Sequence, residues 1–290
     1  MKGIILAAGK GTRLYPATLG LSKPLLPVYD RPMVYYPMAM LMNLGIRDNL
    51  IISSEEDING YRRLFGDGSR LGIHVEYAIQ YVQKGIADAF VVGADFIGDD
   101  SVCLALGDNI FLGNAFFSML ETMQLPEEGA VVFGYPVADP RPFGVVEFDE
   151  NFNVLSLEEK PENPKSDYIV PGLYFYDNAV KDIAANLKPS ARGELEITDV
   201  NKVYLEQGKL KVQLIEEGTE WFDAGSAKGL LTAANTVEER QAGQGEMFTI
   251  EEMAFRRGWI SREQLAALGE GMKKTEYGQY LMKLAEDEDK

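Results

Sequence analysis

Short apolar segments alternate with helix-like segments over the first half of the chain, and this alternation restricts the fold more than any other feature. Five segments rich in β-branched residues are predicted to be buried strands: Gly3–Ala8, Asn49–Ser53, Val75–Ile79, Val102–Leu106 and Ala130–Tyr135. Segments typical of helices lie between them: Met33–Leu44, Glu55–Phe65, Phe90–Ile97 and Asn114–Met123. This order predicts βαβ units, so we expect an α/β protein with a mostly parallel central sheet.

The pattern changes after Gly144, where strand-like segments follow one another directly. They are Val145–Phe148, Val154–Glu158 and Tyr168–Tyr176. Strands in immediate succession predict an antiparallel insertion on the parallel core. Helical patterns return at Asn178–Leu187 and Thr198–Glu206.

Beyond about residue 240 the sequence becomes polar, glycine-spaced and helix-forming. Capping-box patterns at 249–252 and 261–264 each indicate the start of a helix. We expect a small helical appendage that ends in a solvated acidic tail, Glu286–Lys290.

Charge and residue counts exclude several functional classes. Acidic residues outnumber basic ones 45 to 28, a net charge of −17 that repels nucleic acids and anionic membranes. The single cysteine, Cys103, and the single histidine, His74, are both predicted to be structural, and their number excludes thiolate zinc sites, multi-histidine sites and disulfides within the chain. Catalysis would therefore use Asp, Glu, Lys, Arg and a hard cation. Without a signal-peptide core or spanning segment, the sequence predicts a cytoplasmic protein.

A glycine-rich turn, Gly9–Arg13, follows the first predicted strand. Such a turn presents backbone N–H groups to phosphate oxygens, and a helix beginning there would add partial positive charge. Neither standard motif is met, because Leu14 replaces the third glycine of a Rossmann fingerprint and Gly11 follows the lysine where a P-loop needs Ser or Thr. Arg13 and Lys23 could hold phosphate oxygens, and residues 1–29 contain no acidic side chain. A tight turn with solvated basic residues is an equally good interpretation.

Two carboxylates are candidate Mg²⁺ ligands. Asp108 follows a predicted parallel strand, at the sheet edge where α/β proteins bind ligands, and Asp223 lies between an apolar pair and a small-residue turn. Taken singly, each is better explained as a cap of the next turn or helix. Lys160 and Arg192 could hold a second anionic substrate, with solvated salt bridges as the ordinary alternative.

These segments occur together in a familiar order. They are Gly9–Leu14, Lys23, Leu106–Asn109, Gly144–Phe148, Glu159–Pro161, Gly193–Asp199, Trp221–Gly225, Ile250–Trp259 and Tyr277–Leu281. As an ordered set covering essentially the whole chain, they resemble the sugar-phosphate nucleotidyltransferases, and most closely the longer form of their thymidylyltransferase branch. The resemblance implies a Rossmann-like nucleotidyltransferase fold, with a mostly parallel central sheet, an antiparallel sugar-binding insertion and a small C-terminal helical region. It implies a catalytic domain over 1–240, with a nucleotide-binding part at about 1–140 and a sugar-binding part at about 141–225, and the helical region over 241–290.

The resemblance also implies a reaction and its catalytic residues. A phosphate oxygen of glucose 1-phosphate would attack the α-phosphorus of dTTP in line, giving dTDP-glucose and pyrophosphate in the first step of dTDP-deoxysugar biosynthesis, for example of dTDP-rhamnose. Arg13 and Lys23 would steady the α-phosphorus and the leaving pyrophosphate. Asp108 and Asp223 would hold Mg²⁺.

Substrate-binding positions follow from the same resemblance. They are Gly9, Gly11 and Thr12 for the nucleotide phosphates; Gln80 and Gly85 for the thymine edge; Asn109, Gly144, Glu159 and Val170 for the sugar; and Lys160 and Arg192 for the sugar phosphate. The form of residues 241–290 implies a homotetramer inhibited by dTDP-rhamnose at a second site.

The sequence departs from this family pattern at four positions: Ala8 replaces a glycine, Pro24 and Asp88 each replace a glutamine, and Pro171 replaces a threonine. These changes leave the phosphate chemistry intact and bear on base selectivity. Two alternatives therefore stand beside the main prediction. One is a sugar-1-phosphate nucleotidyltransferase that prefers UTP, and the other is a non-catalytic regulatory homologue that binds sugar nucleotides.

Overall fold

The computed structural model describes residues 1–123, 126–244 and 249–287. The strands in this part of the chain are β1 Lys2–Leu6, β2 Pro27–Val28, β3 Arg31–Pro32, β4 Asp48–Ser53, β5 His74–Ile79, β6 Val102–Leu106, β7 Asn109–Leu112, β8 Ala130–Pro136, β9 Gly144–Phe148, β10 Val154–Glu159, β11 Tyr168–Ile169, β12 Leu173–Tyr176, β13 Leu210–Leu214 and β14 Glu220–Asp223. The α-helices are α1 Tyr35–Asn43, α2 Ile58–Phe65, α3 Asp88–Val92, α4 Ala94–Ile97, α5 Asn114–Thr122, α6 Val180–Asn186, α7 Ile197–Glu206, α8 Ala227–Gln244, α9 Ile250–Arg256, α10 Arg262–Glu270 and α11 Glu276–Glu286. Single 3-10 turns occupy Thr12–Leu14, Lys23–Leu25 and Ser69–Leu71.

A ten-stranded mixed sheet forms the centre of the molecule, in the order β10-β9-β11-β8-β12-β6-β1-β4-β5, with β13 paired to β8. β6, β1, β4 and β5 are parallel to one another, as the βαβ spacing predicts. β12 runs antiparallel between β6 and β8, while β9, β10 and β11 continue the sheet antiparallel. The predicted mixed α/β architecture with an antiparallel addition is confirmed.

Both faces of the parallel strands β1, β4 and β6 are largely buried, which explains their continuous apolar sequences. Successive residues of a strand point to opposite faces, so Ile4 joins one apolar cluster and Ile5 the other. Cys103 is fully buried in β6, as predicted. His74 lies exposed on β5, with its Nδ1 atom 3.6 Å from an oxygen of Asp48.

The helices after residue 249 pack onto the same core as the central sheet. Ile250, Leu265 and Leu281 are fully buried in the cluster that contains Ile5. The predicted capping box at Ser261 is complete. At Thr249 only one of its two hydrogen bonds forms, the one in which the hydroxyl accepts from the backbone N–H of Glu252, because the Glu252 side chain binds Arg256 instead. The end of the predicted acidic tail, residues 288–290, lies outside the described residues. Within the described chain, no helix combines the length and apolarity that crossing a membrane requires.

Two predicted elements are interrupted. The strand predicted over Tyr168–Tyr176 is wrong as a single element, because residues 170–172 leave the ladder between β11 and β12, where Pro171 has no N–H to donate. The helix predicted over Phe90–Ile97 breaks at Gly93, where a Cβ would lie 3.0 Å from the Cδ1 atom of Ile4 in the sheet. The sequence patterns also missed β7, β13, β14 and α8.

Candidate active site

The carboxyl ends of β1, β4, β5 and β6 meet at one edge of the sheet, and the candidate site lies there. The register pairs Leu6 with both Ile52 and Leu106, so the segments that follow these strands begin side by side. They are the glycine loop after β1, the turn after β4, residues 80–85 after β5, and Gly107–Asn109 after β6. This is the edge at which open α/β sheets bind ligands.

The glycine loop turns sharply at Gly11, whose φ of 60° lies in the left-handed region. A Cβ at Gly11 would also lie 3.1 Å from side-chain atoms of Lys23 and Thr18. Only one 3-10 turn, Thr12–Leu14, follows the loop, so the predicted contribution of a helix N-terminus is wrong. No hydrogen bond in the described part of the chain uses the backbone N–H groups of Gly9 through Arg13, so these donors remain available to an anion.

Two ion pairs join the predicted catalytic residues. Lys23 Nζ contacts the Oδ2 atom of Asp108, and both side chains are largely buried, at 12% and 20% exposure. Arg13 Nη2 lies 3.6 Å from the Oδ2 atom of Asp223, with the guanidinium two-thirds exposed. The structure therefore brings together four side chains that are widely separated in the sequence.

The two carboxylates are shifted in opposite directions. Burial opposes ionisation of Asp108, but the charge and hydrogen bond of Lys23 and the amide of Asn109 outweigh it and lower its pKa. Burial and the charge of Asp108 raise the pKa of Asp223, against the opposing effects of Lys23 and Arg13. The two acids are thus close enough to repel each other electrostatically.

This donor set suits a hard divalent cation. Two carboxylates share a cavity, and the repulsion between them is the kind that a bound cation relieves. Among the described residues no group of three or more His, Cys, Asp or Glu side chains could hold a metal, so the remaining ligands would come from substrate phosphates and water. That is the usual way in which Mg²⁺ binds at phosphate-transfer sites.

A cavity of about 540 Å³, which we call the carboxylate cavity, contains both aspartates. Five of the predicted sugar and sugar-phosphate positions line it: Asn109, Gly144, Glu159, Lys160 and Val170. Its other lining residues include Arg13, Tyr174, Thr198 and Trp221. The start of β9, the end of β10 and the residue after β11 thus contribute to its lining.

The side chain of Asn109, which lines the carboxylate cavity, makes hydrogen bonds to three other residues. Its Oδ1 atom accepts hydrogen bonds from the backbone N–H of Gly172, at 3.1 Å, and from Nε1 of Trp221, at 2.7 Å. Its Nδ2 atom donates to Asp108 at 3.1 Å. Sequence reasoning gave no role to Trp221, although it stands two residues before Asp223; on an extended strand, that spacing places both side chains on one face.

Arg192 does not line the carboxylate cavity but contacts its rim. It pairs with Glu194 and Glu196 and lies 3.6 Å from Glu159, which also pairs with Lys160. Glu159 in addition accepts a hydrogen bond from Thr198. The two predicted phosphate-binding cations therefore meet at one carboxylate.

A second cavity, of about 760 Å³, lies on the other side of the glycine loop, and we call it the glycine-loop cavity. It is lined by Ala8, Gly9, Lys10, Tyr15, Thr18, Leu19, Ser22, Ser54, Glu55, Glu56, Asp57, Gln80, Tyr81, Val82 and Gln83. Among the predicted nucleotide positions, Gly9 and Gln80 line it, whereas Gly11, Thr12 and Gly85 do not. Gly85, at φ 110°, packs against the backbone of Leu195, where a Cβ would lie 2.5 Å from the carbonyl oxygen.

Two of the departures from the family pattern are buried beside these cavities. Pro24 is the second residue of the 3-10 turn Lys23–Leu25, where its missing N–H needs no partner, and it packs against Gly107 without lining either cavity. Asp88, at the start of α3, is 5% exposed and accepts a hydrogen bond from Gln80.

Comparison with known proteins decides the family. A family model described as nucleotidyl transferase matches residues 2–240. A glucose-1-phosphate thymidylyltransferase of Neisseria meningitidis is 54% identical over 285 residues, covering 98% of this chain and 99% of the relative. The chain belongs to the nucleotidyl transferase family, in its glucose-1-phosphate thymidylyltransferase branch.

Other relatives of this nucleotidyl transferase agree in sequence and in structure. A Mycobacterium tuberculosis glucose-1-phosphate thymidylyltransferase is 53% identical, with 99% of each chain covered. A Bacillus anthracis protein described as a glucose-1-phosphate thymidylyltransferase, solved in complex with sucrose, superposes with a TM-score of 0.76 at 40% identity, covering 86% of this chain and 98% of that one. A UDP-glucose pyrophosphorylase at 23% identity shares the fold, with a TM-score of 0.73 over 82% of this chain and 98% of its own.

The nucleotidyl transferase site offers groups that bind and neutralise phosphate rather than a covalent nucleophile. The glycine loop contributes Gly9 and Lys10 to one cavity and Arg13 to the other, its amides are unused by the described residues, and two cations pair with two carboxylates beside it. Such an arrangement can hold two phosphorylated substrates next to each other and stabilise charge that develops between them.

Proposed function

We propose that this enzyme transfers dTMP from dTTP to glucose 1-phosphate, giving dTDP-glucose and pyrophosphate. The observation that supports this most strongly is the pair of ion pairs Lys23–Asp108 and Arg13–Asp223, whose two carboxylates line the carboxylate cavity. A sugar-phosphate oxygen forms a bond to the α-phosphorus of dTTP, and the bond to the β-phosphate oxygen breaks in line. Positioning and charge stabilisation supply the rate, so the lack of a catalytic histidine or cysteine is no obstacle.

Phosphate binding, charge stabilisation and metal binding are assigned to different residues of the site. Loop amides from Gly9 to Arg13 bind nucleotide phosphates, with Gly11 and Thr12 shaping the loop, and Arg13 and Lys23 stabilise the charge at the α-phosphorus and on the departing pyrophosphate. Asp108 and Asp223 would hold Mg²⁺, which when bound neutralises phosphate charge. Both cations are paired with these carboxylates in the structure. When substrate binds, each cation therefore exchanges a carboxylate partner for a phosphate.

Substrate specificity is divided between the two cavities. Gln80 and Gly85 recognise the thymine edge in or beside the glycine-loop cavity. Asn109, Gly144, Glu159 and Val170 contact the sugar in the carboxylate cavity, and Lys160 and Arg192 hold its phosphate. Glu159 supports this assignment, because it faces the cavity and places both cations at its rim.

Pyrophosphate release with glucose 1-phosphate and Mg²⁺ tests the proposal, with dTTP, UTP, ATP, GTP and CTP compared side by side. We expect the highest kcat/KM with dTTP and a lower value with UTP. A preference for UTP would overturn the base assignment and keep the mechanism. Binding of dTDP-glucose without turnover of any nucleotide would instead indicate a regulatory homologue.

We further propose that the enzyme is a cytoplasmic homotetramer that begins dTDP-deoxysugar synthesis and is inhibited by dTDP-rhamnose at a second site. Support comes from the family resemblance of residues 241–290 and from relatives that match the chain over nearly its full length. Light scattering should give four chains, and dTDP-rhamnose should lower the rate at substrate concentrations near KM. A monomer whose rate does not respond to dTDP-rhamnose would contradict both parts.

A further inference from the structure

Gln80 has its amide group fixed by a buried acid. The Gln80 Nε2 atom donates to the Oδ2 atom of Asp88 at 2.8 Å, and the two side chains are only 6% and 5% exposed. No hydrogen bond in the described chain reaches the Oε1 atom of Gln80, although the residue lines the glycine-loop cavity. One end of the amide is therefore held inside the protein, and the other is left for a ligand.

The carboxylate determines which end is which. An ionised carboxylate offers only acceptors, so Asp88 can bind Nε2 but repels Oε1. A glutamine or asparagine in its place could donate as well as accept, and the amide of Gln80 could then turn over. Asp88 thus restricts Gln80 to one of the two orientations that are open to an amide.

The backbone on both sides of this contact is also fixed. The N–H of Gln80 donates to the carbonyl of Ser53 at 2.9 Å, which continues the pairing of β5 with β4. On the other side, the N–H of Ala87 donates to the carbonyl of Leu195 at 3.1 Å, just before Asp88 begins α3. Neither residue can shift far to release the other, so the orientation of the amide is built into the fold.

We propose that Asp88 is a positioning residue that turns Gln80 Oε1 toward the base, so that the site accepts pyrimidines with a protonated N3 and rejects cytosine. Thymine and uracil carry an N3–H that can donate to Oε1, whereas N3 of cytosine is an acceptor and would leave two acceptors facing each other. The inference rests on the proposed reading of the base by Gln80. It also implies that this contact does not separate dTTP from UTP, which share the N3–H group.

The test compares kcat/KM for dTTP, UTP and CTP in the full-length enzyme. In Asp88→Asn and Asp88→Gln we expect the dTTP-to-CTP ratio to fall by about tenfold, while the dTTP-to-UTP ratio stays the same. Asp95→Asn, at an exposed position on neighbouring α4, removes the same charge and should change neither ratio. An unchanged dTTP-to-CTP ratio in both Asp88 variants would overturn the proposal.

A double variant separates positioning from loss of structure. Gln80→Glu combined with Asp88→Asn exchanges donor and acceptor, so position 80 again presents only acceptor oxygens to the base. We expect it to recover the preference for dTTP over CTP relative to Asp88→Asn alone. Failure to recover that preference would mean that the loss in Asp88→Asn came from structural damage, and would contradict the positioning role.

Two further measurements distinguish this inference from the proposed function. Gln80→Ala should lower the dTTP-to-CTP ratio by about tenfold. If the ratio does not change, Gln80 does not read the base, and the inference fails while turnover of dTTP by the unmodified enzyme still stands. The unmodified enzyme should also use N3-methyl-dTTP at least about tenfold less well than dTTP, because the methyl group removes the donor. Equal use of both nucleotides would overturn the proposed contact without any substitution.

Discussion

Asp108 is the residue on which the proposed chemistry depends most, because it pairs with Lys23, accepts from Asn109 and raises the pKa of Asp223. Asp108→Asn keeps the shape of the side chain but removes the charge. We expect kcat to fall by at least about 100- to 1,000-fold, with the fold retained, in an assay of pyrophosphate release. Asp100 precedes the start of β6, away from the site, and pairs with Lys2; Asp100→Asn removes the same charge there and should leave kcat unchanged. Undiminished turnover in Asp108→Asn would remove this residue from the mechanism.

Trp221 provides a second test at the scale of single residues. Trp221→Phe keeps an aromatic ring against Phe143 but removes the N–H that donates to Asn109. Because Asn109 orients Asp108, we expect kcat/KM for glucose 1-phosphate to fall by about fivefold to tenfold, with little loss of stability. The second tryptophan, Trp259, packs against Arg47 in the C-terminal region, and Trp259→Phe serves as the control. Equal effects of the two substitutions would show that the bond to Asn109 is not needed.

The sequence predicts charged residues of this site better than it predicts the contacts that orient them. Asp108 stands out because it follows an apolar strand and one glycine, and Arg13 because it ends a glycine turn. The bonds of Asn109 to Gly172 and Trp221 join segments 63 and 112 residues away. Such partners are determined by how the strands are arranged in the sheet, which local patterns do not contain.

Elements that alternate regularly were predictable, and those shaped by a close approach were not. β6 has the predicted bounds because it is short, apolar and followed by Gly107. The break between β11 and β12 instead includes a close approach at Gly172, where a Cβ would lie 2.7 Å from Cγ atoms of both Asn109 and Leu106. β7 and β14 were missed because they pair only with each other, across more than 100 residues of chain.

Gly172→Ala tests this close approach. The added methyl group must displace Asn109 or Leu106, so we expect a loss of about 1–3 kcal/mol in the free energy of unfolding and at least a tenfold lower kcat/KM. Denaturant unfolding and the pyrophosphate assay measure the two effects. Gly243→Ala, in an exposed position of α8 where no atom of the described residues lies within 4 Å of the new Cβ, should instead leave the protein at least as stable as the parent. If Gly172→Ala resembles this control, the break between β11 and β12 does not require glycine.

At the scale of the whole molecule, the last three helices are part of the main core rather than a separate surface layer. α9 packs against α1, and its Met253 and Ala254 belong to the cluster that contains Ile5 and Ile51. The sequence showed that these segments are helical, because their caps are local signals, but it could not show which face of the sheet they cover. That depends on contacts such as the one between α9 and α1, which only the assembled fold defines.

A buried acid in this region makes the stability of the molecule depend on pH. Glu251 on α9 is 1% exposed and accepts a hydrogen bond from Tyr277 on α11, while Arg31 lies over the ring of Tyr277. Burial raises the pKa of Glu251, although the hydrogen bond from Tyr277 and the charges of Arg70 and Arg31 oppose the shift. The folded state therefore holds this proton more tightly than the unfolded state does.

Glu251→Gln should reveal this effect. Between the ordinary pKa of a glutamate and the raised value in the fold, the folded protein binds more protons than the unfolded chain, so the contribution of Glu251 to stability falls as pH rises through that interval and stays low above it. Glutamine keeps an acceptor for Tyr277 and has no such dependence. We expect the free energy of unfolding of the variant minus that of the parent to be larger at pH 7.5 than at pH 4.5. Denaturant titrations at both pH values measure it, with exposed Glu276→Gln as the control for net charge. Effects of the substitution that do not depend on pH cancel in this comparison, so a difference of zero or of opposite sign would show that Glu251 is buried without a raised pKa.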